Sequence, residues 1–125
     1  MSDTVALSFA AQTQNVALAR TLAAAMSARA DLPLDQLEDV RLAVDEAVSQ
    51  VIAVAAPAAR VTCRFDSNGS TLAVRVSCAT TATTPPSTNS FSWTVLSALV
   101  DSVEASVAGG ELVIAFTVTS DLVDV

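Results

Sequence analysis

Apolar residues recur at two spacings in this chain, every second position in some stretches and every third or fourth in others. Val5, Leu7 and Phe9 alternate with small or polar neighbours, which predicts a short first strand over Val5 to Ala10. From Gln14 to Arg29 the spacing turns helical, with Val16, Ala19, Leu22, Ala23 and Met26 on one stripe and Thr13 placed as N-cap. A second helix is predicted after Pro33, a residue suited to a first helical turn, running to about Ala55 before Pro57. Leu37, Val40, Val44, Val48 and Val51 make its core-facing stripe. Asp35, Glu38 and Asp39 occupy its first turns, where the helix dipole favours carboxylates.

Asn68-Gly69, set between two alternating segments, predicts a two-residue hairpin turn. With Ser67 facing Ser70, Val61, Cys63 and Phe65 fall opposite Val76, Val74 and Leu72, so one face is wholly apolar. Thr62, Arg64, Asp66 and Arg75 share the other face. Ala79 to Asn89 reads as a Thr/Pro loop without glycine or charge, and Ser90 precedes a third helix from Phe91 to about Asp101. Phe91 shares a stripe with Val95, Ala98 and Leu99 and is expected in the core, while Trp93 fits either a pocket cap or a partner anchor. A second hairpin turns at Gly109-Gly110. If Ala108 faces Glu111, then Val103, Ala105 and Val107 oppose Phe116, Ile114 and Leu112. Asp121 to Val125 is expected to be loose. The order β-α-α-β-β-α-β-β implies a two-layer α/β (α+β) sandwich, a mixed sheet covered on one face by helices, in one domain over residues 1–125.

Composition narrows the chemistry. No apolar run reaches the ~18 residues a membrane span needs, and Met1 to Ala10 lacks the basic start of a signal peptide, so a cytoplasmic protein is expected. A net charge of −7 disfavours nucleic acid and is compatible with a basic protein partner, although solubility alone explains most acidic proteins. The absence of His, Lys and Tyr excludes imidazole catalysis, Schiff bases and His-bearing zinc sites. All six cations (Arg20, Arg29, Arg41, Arg60, Arg64, Arg75) precede Val76, whereas the remainder carries five carboxylates and no positive charge. Cys63 and Cys78, about 13 Å apart in the expected register, are read as small core residues and not as a disulfide.

Within RLAVDEAVSQ, Arg41 to Gln50, the side chains of Glu46 and Gln50 lie one turn apart on the helix, and Asp39 falls on the same line. Glu46 has the chemistry to orient a water or hydroxyl nucleophile, and the Gln50 carbonyl oxygen to ligate magnesium. On spacing alone, a solvated polar stripe is the stronger account of the pair.

Taken in order, QNVALARTLAAAM (Gln14 to Met26), RLAVDEAVSQ and SFSWTVLSALVDSVE (Ser90 to Glu104) resemble the bacterial anti-sigma factor/serine kinase family, of the histidine-kinase-like ATPase superfamily, and its mycobacterial branch in particular. The resemblance implies that fold. It makes Glu46 the counterpart of the family's catalytic base and sets Gln50 where the kinases carry a magnesium-binding Asn, one methylene or ~1.5 Å longer. It also implies that Gln14, Asn15 and above all Arg20 touch a sigma factor and a competing anti-anti-sigma protein, and that the chain forms a homodimer.

The sequence departs from the family's nucleotide motifs. Asp-x-Gly-x-Gly after the second hairpin strand is replaced by VRVSCATTA, Val74 to Ala82. The Gly-rich entry to the third helix becomes Asn89-Ser90-Phe91-Ser92-Trp93, and Gly-Thr near the last strand becomes Gly110-Glu111, which sets an anion beside the phosphate path. The expectation is an anti-sigma module with a vestigial site at Glu46 and Gln50, no catalytic residue, no metal and no required cofactor. The alternative is a working kinase that uses ATP and magnesium to phosphorylate a serine of the anti-anti-sigma protein.

Overall fold

The hydrophobic alternation builds a five-stranded sheet in the computed structural model, which describes residues 2–122. Strand β1 (Ser2–Ala10) leads through a single 3₁₀ turn (Thr13–Asn15) into helix α1 (Val16–Arg29), followed by α2 (Leu34–Ala53). Strands β2 (Arg60–Asn68) and β3 (Thr71–Ala79), helix α3 (Phe91–Leu99), and strands β4 (Ser102–Ala108) and β5 (Glu111–Thr119) complete the order. The sheet runs β1-β2-β3-β5-β4 with every neighbouring pair antiparallel, so the expected mixed sheet is corrected to a purely antiparallel one.

The second hairpin has the expected register: Val103, Ala105 and Val107 face Phe116, Ile114 and Leu112, and Gly109 and Gly110 both hold positive φ. The first hairpin differs. Its turn is Gly69-Ser70, with Asn68 paired to Thr71, and only Gly69 (φ 65°) is left-handed there. Glycine first in a two-residue loop suits a type II′ turn, which won over the type I′ geometry that Asn-Gly favours. The register therefore moves by two residues, an even shift that leaves every side chain on its expected face. Val61, Cys63 and Phe65 now oppose Cys78, Val76 and Val74. Cys63 and Cys78 become diagonal neighbours, about 7–8 Å apart, closer than expected but still free thiols. Both are buried, and burial pushes the Cys63 thiol from 9.0 up to about 12, so it packs as a neutral apolar group.

Helix α2 supplies the centre of the core. Val40, Ala43, Val44, Ala47, Val48 and Val51 are fully buried, against a sheet face that includes Phe65, Leu72, Val76, Ile114 and Phe116. Burying each large side chain contributes roughly 1.5–3 kcal/mol. Fully buried alanines on both α1 (Ala19, Ala23) and α2 (Ala43, Ala47) let the two helices approach closely. At the chain's end, Gln36 donates to the Thr119 carbonyl (2.9 Å) and accepts from the Asp121 amide (2.8 Å). Asp121 is thus held, unlike the loose tail expected; residues 123–125 of that expectation lie outside the described residues.

Between α2 and β2 the chain turns at Ala56-Pro57-Ala58-Ala59, closed by Ala59 N donating to the Ala56 carbonyl (3.1 Å). Ala58 sits at φ 61°, the third position of a type II turn, where glycine is favoured. Relief of Cβ strain of about 1–2 kcal/mol, less the extra freedom glycine gives the unfolded chain, makes Ala58→Gly stabilising. Urea denaturation is expected to show a gain of roughly 0.5–1 kcal/mol.

Candidate functional site

Glu46, Gln50 and Asp39 do share one line of α2, on the flank of its buried stripe, and all three are half-buried. Gln50 faces a cavity. It lines a hollow of about 420 Å³ together with Val54, Pro85, Pro86, Ser90 and Leu112, whereas Glu46 lies outside that lining. No side chain of the lining is charged. The Gln50 amide nitrogen is buried without a hydrogen-bond partner. Glu111, expected beside a phosphate path, does not line the hollow either; it is exposed at the start of β5, next to Cys78, whose thiol is raised by burial and then by this carboxylate.

Thr80 ties together Val54 and Ala82, two residues of the hollow's lining, a role that nothing in the local pattern announces. It follows β3 and pairs with Ala55 at the end of α2 in an isolated β-bridge. Its hydroxyl donates to the Val54 carbonyl (2.6 Å) and accepts from the Ala82 amide (3.0 Å). Its own amide donates to the Gly110 carbonyl (2.8 Å), and Ala56 N donates to the Ala79 carbonyl (2.9 Å). The start of the Thr/Pro loop is thereby stapled to α2 on one side and to the β4–β5 turn on the other.

At the far side, Ser90 caps α3 by accepting from the Trp93 amide (3.1 Å), and its hydroxyl donates to the Ser87 carbonyl (2.9 Å). One of the free amides at this helix N-terminus is thereby taken by the protein itself. Leu96 is the buried residue of α3, and Trp93 is half-buried against the core. Phe91 is 84% exposed, which corrects its expected place in the core. In a nine-residue helix made only of apolar, Ser and Thr residues, the sequence pattern defines no unique face. Among the described residues no group of three or more acidic or thiol side chains could hold a metal.

The residues expected to meet a partner lie on and just before α1. Gln14 is exposed. Asn15 is occupied, its amide donating to the Ala10 carbonyl (2.9 Å) and tying the helix to the end of β1. Arg20 is half-buried at the margin of the helix's core stripe and forms no ion pair among the described residues. Leu18, also on this helix, is 53% exposed.

Residues 9–116 match the family model of the histidine kinase-like ATPase domain. The chain is also 39% identical, over 100 residues, to the anti-sigma-F factor RsbW of Mycobacterium tuberculosis in strains CDC 1551 / Oshkosh and H37Rv. That alignment covers 80% of this chain and 60% of each relative, so the chain spans about three fifths of the length of the curated relatives it matches. No helix among the described residues is long and apolar enough to cross a membrane.

Thr80→Val keeps the shape of the side chain but leaves the Val54 carbonyl and the Ala82 amide without their partner. A loss of about 1–3 kcal/mol in denaturant unfolding is expected, together with faster amide exchange at Ala82.

Proposed function

Because this chain belongs to the histidine kinase-like ATPase domain family, we propose that it is an anti-sigma factor that holds an alternative sigma factor away from RNA polymerase. A competing anti-anti-sigma protein releases the sigma factor by occupying an overlapping face. Exchange of this kind requires only different affinities for shared contacts and no chemistry. The name borne by the Mycobacterium tuberculosis relatives supports the sigma partner. The place of work is the cytoplasm, and the working form is a homodimer.

The observation that most favours binding over catalysis is the charge-free lining of the hollow beside Gln50. A triphosphate with magnesium carries several charges that need cations, carboxylates or free backbone amides close by. Here the lining supplies hydroxyls and apolar groups, the α3 N-terminus is capped by Ser90, and the loop is fastened by Thr80. On this reading Mg-ATP does not fit, and Glu46 and Gln50 are vestiges. The rival reading, a kinase of the anti-anti-sigma protein, draws on the shared line of Glu46 and Gln50 along α2.

Arg20 carries the partner contact. A guanidinium that forms no ion pair among the described residues, held at the margin of α1, suits a carboxylate of a partner. Arg20→Glu is expected to weaken binding of a sigma factor of the F type by more than about tenfold, with an unchanged melting temperature. Glu46→Ala is expected to leave that affinity within about twofold. Surface plasmon resonance on both variants checks this; a large loss from Glu46→Ala with none from Arg20→Glu overturns the assignment of the working face.

A further inference from the structure

A sheet that does not close on itself keeps two edges, here β1 and β4. The protein guards them unequally. On β1 the Ser8 carbonyl accepts from Arg60 (3.1 Å), the Ala10 carbonyl accepts from the Asn15 amide (2.9 Å), and Asp3 is paired with Arg29. Strand β4 has no such cover. It carries no Pro, Gly or basic residue to blunt it, and among the described residues its backbone bonds to no element except β5.

The register shows which groups of β4 face outward. The Thr80 amide donates to the Gly110 carbonyl, so the even-numbered residues of β5 turn their backbone groups toward β3 and the odd-numbered ones toward β4. Ser102, Glu104, Ser106 and Ala108 stand opposite odd-numbered residues and exchange bonds with them. The N–H and C=O groups of Val103, Ala105 and Val107 therefore point away from the sheet, along its free edge. The side chains of these three residues are half-buried on the helix-covered face, where they pack against the core and leave one flank bare.

The charge around this edge has one sign. Glu104 is exposed on the opposite face of β4, Asp101 precedes the strand, and Glu111 follows the turn. None of the three forms an ion pair among the described residues. Arg75, the cation in the row of Glu104, lies two strands inward, and no cation follows it in the chain.

We propose that β4 is a docking edge for an extended basic segment of another protein, which adds to the sheet as a sixth strand. The main chain of the segment bonds Val103, Ala105 and Val107. Its alternate apolar side chains continue the core face, and the Lys or Arg side chains between them meet Glu104, with Asp101 and Glu111 at the two ends. Strand addition draws its affinity from main-chain bonds, so about seven residues suffice where a folded partner needs a far larger surface. The site lies at the edge opposite β1, away from α1, which packs against β2. It stands whether or not a sigma factor binds at Arg20.

Fluorescence anisotropy with a labelled Thr-Lys-Val-Lys-Val-Lys-Thr peptide tests this, with the same peptide carrying Glu in place of Lys as control. The Lys peptide is expected to bind saturably and to shift the amide resonances of Val103 to Val107, and the Glu peptide to bind more than about tenfold more weakly. Ala105→Pro removes an outward donor at a place where an edge strand accepts proline, and is expected to weaken the Lys peptide at least about fivefold. Glu104→Lys, at an exposed position, is expected to weaken it about fivefold and to strengthen the Glu peptide. Circular dichroism melts establish folding, and Glu104→Lys carries the test alone if the proline variant unfolds. Absence of saturable binding, or amide shifts confined to other strands, overturns the proposal. Equal affinity for the two peptides refutes the basic partner, and a folded Ala105→Pro that binds as wild type refutes strand addition.

Discussion

Everything positioned in this molecule depends on the aliphatic stripe of α2 lying against the apolar face of the sheet. Val40, Val44, Val48 and Val51 are fully buried there, and the same sheet face buries Phe65, Ile114 and Phe116. With the helix fixed in rotation by that contact, residues on its flank have no freedom of placement. Gln50 must enter the hollow between α2, the Thr/Pro loop and α3, and Glu46 must stop short of it. The core thus sets the site's geometry, and the identity of the flanking residues sets its chemistry.

That chemistry is electrically quiet. Two donors that a polyanion would seek are engaged by the protein's own groups: the Trp93 amide by Ser90 at the α3 N-terminus, and the Ala82 amide by Thr80 at the start of the loop. Charge is displaced to surfaces suited to other polypeptides. Arg20 stands at the margin of α1, and the row Arg75–Ala115–Glu104 crosses the open sheet face. On the proposed reading, the α1 surface serves a sigma factor, with no step requiring a nucleotide.

Much of this was legible in the sequence, for identifiable reasons. Alternation and helical spacing reveal elements because burial on one side enforces the period, as it does in α1, α2, β2 and β3. Gly109-Gly110 admits a single two-residue turn and so fixed its register, while Asn68-Gly69-Ser70 offers two and the less expected one formed. Pairing of β1 with β2 and of β3 with β5 lies outside any local pattern, which is why the sheet's purely antiparallel character was not foreseen. The Thr80 staple joins residues distant in sequence through backbone groups that carry no side-chain signature. Phe91 misled because its helix lacks a polar face against which an apolar one could be read.

The central claim, that the hollow beside Gln50 no longer accepts a charged nucleotide, is tested most directly by calorimetric titration of the protein with Mg-ATP. The account predicts no saturable heat up to millimolar ligand. Saturating binding in the micromolar range, worth about −8 kcal/mol, would contradict it and restore Glu46 and Gln50 as working residues.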